Sequence, residues 1–247
     1  MDCVEEVTAE LDLKRASIIS QEHVDKLPTK QPPDAPKDRF NLVLIIFFFY
    51  GLNSMLPLTF FMLANDYWMY KFRNTAYDKW DPRHRTTLQI YFGTIVSIVR
   101  AVPVMIVSVL AAIYIHKFHL RPRLVSSTFA TSAVFVALTI FVVIDTDDWQ
   151  LMFLIITAVL MTILGVAGVV FRMSHTRLLA RFPLTYMKFD MYGSGCSSLF
   201  SIFLQIISLS IGKDSISSAL IFFVCGSAVI LTSFLLAVAS DHLPFYR

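Results

Sequence analysis

WQLMFLIITAVLMTILGVAGVVF, the stretch from Trp149 to Phe171, runs its whole length without an Asp, Glu, Lys or Arg. An α-helix rises ~1.5 Å per residue and needs ~20 apolar residues to cross ~30 Å of hydrocarbon, so this stretch is long enough to span a bilayer. Its apolar positions are continuous where a barrel strand would alternate, and a lone strand would leave its backbone groups unpaired in lipid. The same reading carried outward finds charge-free intervals at 40–65, 124–144, 191–212 and 215–240, and one at 86–116 broken only by Arg100. The expected fold is therefore all-α: a polytopic bundle over 40–247 with six spanning helices at about 40–65, 88–116, 124–144, 149–172, 190–212 and 215–240.

Composition agrees. Of 247 residues, 56% are apolar and 16% charged, with 22 Phe and a mean hydropathy of +0.64. Soluble chains run nearer ~45–50% apolar and ~25% charged, so the solvent is lipid. A net charge of +3 is no footprint of a nucleic-acid binder. Residues 1–39, rich in both acids and bases and carrying Gln31-Pro32-Pro33-Asp34-Ala35-Pro36, read as a disordered cytoplasmic tail. No apolar core follows Met1 closely enough for a cleavable signal peptide, so the first span is expected to serve as the insertion signal.

Topology follows from where the bases fall. One side collects the basic residues of the tail, Lys117, Arg121, Arg123, Arg172, Arg177, Arg181, Lys188 and Arg247, and the other Lys71, Arg73, Lys79, Arg83, Arg85 and Lys213. The excess on the first side places both termini in the cytoplasm. The five bases of the first outside loop oppose that rule, but Tyr67, Trp68, Tyr70, Tyr77 and Trp80 suit this loop to lying along the membrane interface. Cys3, Cys196 and Cys225 form no disulfide framework or metal-ligand spacing, and no cofactor motif is present.

Polar and small residues inside the spans are not scattered. Gly51, Asn53, Ser54, Pro57 and Thr59 crowd the first span, where Pro57 removes a backbone donor; ordinary packing and a kink lining a cavity are both open. Arg100 lies near the middle of the second span, where an arginine costs ~2.5–3.5 kcal/mol on insertion scales. Either it bonds carbonyls freed by Pro103 or it faces water, a partner or a ligand. No acid of this chain lies at mid-span to pair with it. Gly165, Gly168 and Arg172 fall on one stripe of the fourth span, and Gly193, Ser197 and Ser201 on one stripe of the fifth, beside Gly195. Such stripes let helix backbones approach closely. The segment 172–183 reads as an extension of the fourth helix or as a solvated basic loop. A serine nucleophile at Gly193-Ser194-Gly195 would need a base within reach, and none of His23, His84, His116, His119, His175 and His242 lies inside the sixth span. No catalytic residue is expected, and no enzyme.

Several of these residues together carry a resemblance. Pro36-Lys37-Asp38-Arg39-Phe40 running into Ile45-Ile46-Phe47-Phe48, then Gly51-Leu52, Leu56-Pro57 and Phe60-Phe61, resembles the first span of the equilibrative nucleoside transporters. Pro103 in the second span, Phe182-Pro183-x-x-Tyr186 followed by Met191-x-Gly193-x-Gly195, and Ala228 to Thr232 leading to Phe245-Tyr246-Arg247 are similar to later landmarks of that family, in the same order. The resemblance implies a solute carrier with a fold similar to the amino-terminal bundle of the major facilitator class, moving nucleosides, or nucleobases, down their gradient by alternating access. A carboxy-terminal half or a second copy would supply the other bundle, since the chain stops after the sixth span. Residence in the plasma membrane is implied likewise.

Departures accompany it. Where the family usually has Trp-Asn after Leu-Pro, this chain has Leu58-Thr59; the family's fourth-span glutamine corresponds to Arg172; its Gly-Gln-Gly reads Gly193-Ser194-Gly195. Hydropathy puts Arg172 at the inner end of its span, whereas the resemblance puts it in the central cavity. The expected substrate contacts are Leu58, Thr59, Arg100 and Arg172, with Pro57, Pro103, Gly168, Gly193 and Gly195 serving packing or gating. The alternative is a non-transporting half-size membrane protein that binds a ligand or a partner transporter.

Overall fold

The structure is a computed structural model describing residues 41–74, 86–114, 119–212 and 214–240. The tail at 1–39, Tyr77, Trp80 and the basic residues Lys79, Arg83 and Arg85 lie outside the described residues. Seven α-helices are described: α1 Leu42–Leu63, the short α2 Asn65–Lys71, α3 Thr87–Tyr114, α4 Leu120–Val143, α5 Gln150–Leu179, α6 Leu184–Ile211 and α7 Ser215–Ala239, with one 3-10 turn at Asp147–Trp149. Six of them, all but α2, are long and apolar enough to cross a membrane.

The helices overrun the charge-free intervals where charges mark only the edge of hydrocarbon. α4 begins at Leu120 and carries Arg121 and Arg123 in its first turns, with Pro122 at a position whose N–H would be unsatisfied in any case. α5 continues past Arg172 to Leu179, so the segment read as a helix extension or a basic loop is helix for most of its length. α6 starts at Leu184, directly after Pro183. Intrahelical hydrogen bonds persist into water, so a charge that ends the apolar run does not end the helix.

α1 is central. It packs along α6 and also touches α7 and α5, while α4 packs between α5 and α7, and α3 leans on α5. The α1–α6 contact is backbone against backbone: a Cβ on Gly51 would strike the Asp190 carbonyl, and one on Gly193 the Phe48 carbonyl. Gly193, Ser197 and Ser201 are all buried on this face, the arrangement that lets two spans approach without side chains between them. Elsewhere aromatic rings fill the space. Phe60 stacks on Phe222 with centroids 4.3 Å apart and lies on Gly226, where any Cβ would meet its ring.

Two of the aromatic residues expected along the interface, Tyr67 and Trp68, are instead packed inside the bundle, while Tyr70 is half-exposed. Tyr67 and Trp68 are buried, with Phe72 beside them. Trp68 packs on Phe61 and Phe92 at centroid distances of 4.9 and 5.2 Å, and its indole N–H donates to the Phe61 carbonyl at 3.1 Å. With its one polar atom satisfied, the indole belongs in a packed core. Burial pushes the Tyr67 hydroxyl well above the usual tyrosine range.

Polar side chains then tie α2 to its neighbours. Thr86 and Gln89 form a capping box at the start of α3: the Gln89 N–H donates to Thr86 Oγ1 at 3.2 Å and the Thr86 N–H to Gln89 Oε1 at 2.8 Å. Gln89 Nε2 also donates to the Met69 carbonyl, and Thr86 Oγ1 to that of Phe72, both at 2.7 Å. Buried Lys71 donates to the Ile144 carbonyl at 2.6 Å. Burial, opposed by Asp145 and Asp147, holds this ammonium below the ordinary lysine value. Arg73 reaches Asp147 at 2.6 Å while stacking on Tyr70, 4.0 Å from the ring centroid.

The Arg73–Asp147 pair is mostly shielded, at 19% and 28% side-chain exposure, so it exceeds an exposed pair without the full penalty of a buried one. A double-mutant cycle with Arg73→Ala and Asp147→Ala, read by unfolding in detergent, is expected to give a coupling of about 1 kcal/mol. A coupling indistinguishable from zero would show that the pair does not hold α2.

Candidate functional site

Three spanning helices, α1, α3 and α5, bring polar residues to one recess of about 70 Å³, with Thr131 of α4 completing its wall. α1 contributes Asn53, Ser54, Pro57 and Leu58; α3 contributes Arg100; α5 contributes Gly165, Gly168 and Arg172. The recess is far smaller than the ~300–1,000 Å³ of sites that enclose a whole small molecule, so within this chain it is a wall or subsite.

Arg100 reaches the recess because Gly165 leaves room. A Cβ on Gly165 would lie 3.0 Å from Arg100 Cγ and 2.6 Å from Val104 Cγ2, so the aliphatic stem of the arginine lies on the bare backbone of α5. The carbonyl that Pro103 deprives of its helical donor belongs to Val99, four residues earlier. The hydroxyl of Thr162 on α5 approaches that carbonyl, at 3.5 Å, in place of Arg100. Among the described residues Arg100 and Arg172 have no hydrogen-bond or ion-pair partner, and no carboxylate lines the recess. Arg172 lines the recess and lies two helical turns before the end of α5.

Asn53 is the residue that sequence reasoning left out of the site. It is only 5% exposed, lines the recess, and its Oδ1 has no hydrogen-bond partner. A buried amide without partners costs ~1–3 kcal/mol. The signal was present in the sequence: Asn53 stands four residues before Pro57, so its own carbonyl also lacks the usual helical donor.

The other expected site residues distribute unevenly. Leu58, Arg100, Arg172, Pro57 and Gly168 line the recess. Thr59 is turned away from it, bonding the Leu56 carbonyl at 3.0 Å and approaching Ser201 Oγ at 3.3 Å, because the next residue round a helix from Leu58 faces α6. Gly193 sits in the α1–α6 contact, whereas Cβ atoms on Gly168 and Gly195 would meet nothing within 4 Å. Neither of those two is a packing glycine within this chain. Gly168 instead keeps the recess wall low, and Gly195 is exposed. Pro103 is half-buried in α3 outside the recess.

A second polar cluster lies beyond Arg172. His175 stacks on Phe171 at 5.4 Å, meets the edge of Tyr50, and places Nε2 3.3 Å from Asp190 Oδ1. The distance is that of an ion pair, but the atoms lack hydrogen-bond alignment. This cluster joins the C-terminal end of α5 to the N-terminal end of α6 at the level where α1 and α6 touch.

Fold and recess define a polytopic α-helical membrane protein whose interior carries a polar site between spans. No family model matches the chain. Among curated proteins it is 30% identical over 191 residues to equilibrative nucleoside transporter 3 of Rattus norvegicus, covering 76% of this chain and 40% of that protein. It is 25% identical to equilibrative nucleoside transporters 1 and 2 of Mus musculus, over 229 and 217 residues, covering 86% and 87% of this chain and 49% and 47% of theirs. The chain is a diverged member of the equilibrative nucleoside transporter family. It spans about half the length of the curated relatives it matches.

Proposed function

We propose that the chain forms the amino-terminal bundle of a facilitative carrier of nucleosides, or nucleobases, working by alternating access. The observation that carries the reading is the recess: polar residues of α1, α3 and α5 converge on a wall too small to enclose a solute. A second bundle, from a carboxy-terminal half or another copy, would supply the opposite wall, and rocking the two against each other would expose the site to each side in turn. Leu58 offers an apolar surface to a base, Asn53 an amide, and Arg100 and Arg172 polar contacts. The excess of bases on one side favours cytoplasmic termini, and the resemblance favours the plasma membrane. The relatives are named as nucleoside transporters, which favours a carrier over a catalyst.

Uptake of labelled uridine or adenosine into cells expressing the full-length gene tests the proposal. Saturable flux well above vector controls, equal in both directions at equal concentration, is the expected result. Flux no greater than in controls would remove the carrier reading.

A further inference from the structure

We propose that His175 and Asp190 together bind one proton, and that the carrier works fastest with that proton in place. The proposal rests on the carrier reading above and adds a proton as ligand at a second site. Across the six long helices Asp190 is the one carboxylate and His175 the one imidazole. They belong to different helices, yet Nε2 stands 3.3 Å from Oδ1. His175 is 4% exposed, and both of these atoms are shut off from solvent. Unlike the recess, the site is closed by elements of the chain itself: Phe47 and Tyr50 of α1, Phe171 of α5 and the start of α6. Neither side chain has another polar partner among the described residues.

With one proton the pair is neutral overall, either as imidazolium and carboxylate or as imidazole and carboxylic acid. Removing that proton leaves a carboxylate without a counter-charge among aromatic rings, where an uncompensated charge is expensive. The surrounding groups do not replace it. α1 offers the phenol of Tyr50, and α6 that of Tyr186, one turn before Asp190. α5 carries Arg172, whose side chain lines the recess, and Arg177; α6 carries the exposed Lys188; α4 carries Arg121 and Arg123 in its first turns. None of these cations forms an ion pair with Asp190, and α7 has no charged residue from Ser215 to Ala239. The site is joined to the recess through Phe171, which stacks on His175 at 5.4 Å with the rings 11° from parallel and also lines the recess. The Asp190 carbonyl, moreover, lies against Gly51 in the α1–α6 contact. A lone carboxylate drawn towards water from this position would pull the start of α6 from α1 and α5, the two helices that supply most of the recess.

The test uses the full-length protein in phosphatidylcholine proteoliposomes with the same buffer on both sides, so that no proton gradient acts. Uridine exchange is expected to fall at least about tenfold from about pH 5.5 to about pH 8.5, the interval over which an imidazole ordinarily changes charge. Asp190→Asn keeps the shape of the side chain without its charge, and its exchange should vary by no more than about twofold over that interval. His175→Gln should move the fall to lower pH, because one of the two places for the proton is gone. Wild-type exchange independent of pH, or a fall that persists unchanged in Asp190→Asn, would overturn the proposal. Infrared difference spectra between the two pH values read the site without transport. Carboxyl or imidazole bands are expected in the wild type and should be absent from the double variant Asp190→Asn, His175→Gln. Spectra identical in the two proteins would overturn the proton site whatever the flux. Absent exchange at every pH, with those bands present, would remove the carrier reading and leave the proton site standing.

Discussion

Gly193→Leu is expected to destabilise the bundle strongly, while Gly195→Leu, two residues along the same helix, leaves its stability nearly unchanged. The difference comes from what each Cβ would meet. At Gly193 it would run into the Phe48 carbonyl, and at Gly51 on the facing helix into the Asp190 carbonyl. Both obstacles are backbone, held by the hydrogen bonds of α1 and α6, so neither can yield as a side-chain tip would. Separating the helices to admit a leucine would also part Thr59 from Ser201 and pull His175 and Asp190 from their present 3.3 Å. Overpacking typically costs ~1–3 kcal/mol, and with no give on either side Gly193→Leu and Gly51→Leu should each cost about 3 kcal/mol. Gly195 meets nothing within 4 Å, so its leucine variant should shift stability by no more than ~0.5 kcal/mol. Unfolding in detergent, followed by tryptophan fluorescence and size exclusion, separates the cases. Equal stability of the Gly193 and Gly195 variants would mean that α1 and α6 do not touch as described.

The same pair of glycines shows what the sequence could and could not disclose. Six spans were legible because charge is expelled from hydrocarbon, and the helices extend past the charge-free intervals at Leu120, Leu179 and Leu184. The stripe Gly193, Ser197, Ser201 identified a packing face because helical periodicity puts those positions together. Which glycine meets a neighbour depends on a partner helix that periodicity does not name. Gly165, not Gly168, receives a neighbouring side chain, and Gly51 rather than Gly195 completes the α1–α6 contact. The burial of Tyr67 and Trp68 in α2 was not legible for a related reason. Seven residues are too few to show a periodic face, and Tyr67 and Trp68 look alike whether they border headgroups or fill the end of a bundle. At the site, residue type singled out the arginines because charge in a span is rare. Thr59 and Asn53 could not be ranked, because both are ordinary polar residues of one helix and only the neighbours decide which faces the recess.

Arg100→Leu should abolish transport by the full-length protein and at the same time improve its insertion into the membrane. On insertion scales an arginine at the centre of a span costs ~2.5–3.5 kcal/mol and a leucine gains ~0.3–0.6, so α3 should enter the bilayer more favourably by about 3 kcal/mol. Packing should not suffer: the arginine's Cγ and Cδ lie over Gly165, and a leucine branch can occupy much of that space. A residue that a cheaper one could replace without structural loss has a reason to be there other than the fold. The alternative reason, capping the carbonyl freed by Pro103, fails on geometry, since Thr162 is the side chain at the Val99 carbonyl. What remains is the recess, where Arg100 stands with Arg172 and the unbonded Asn53 amide. Glycosylation-tagged insertion assays and uptake measurements on the same variant read the two effects separately, and Arg100→Lys should keep part of the flux by keeping the charge. Undiminished flux in Arg100→Leu would make the arginine structural and deprive the recess of its central residue.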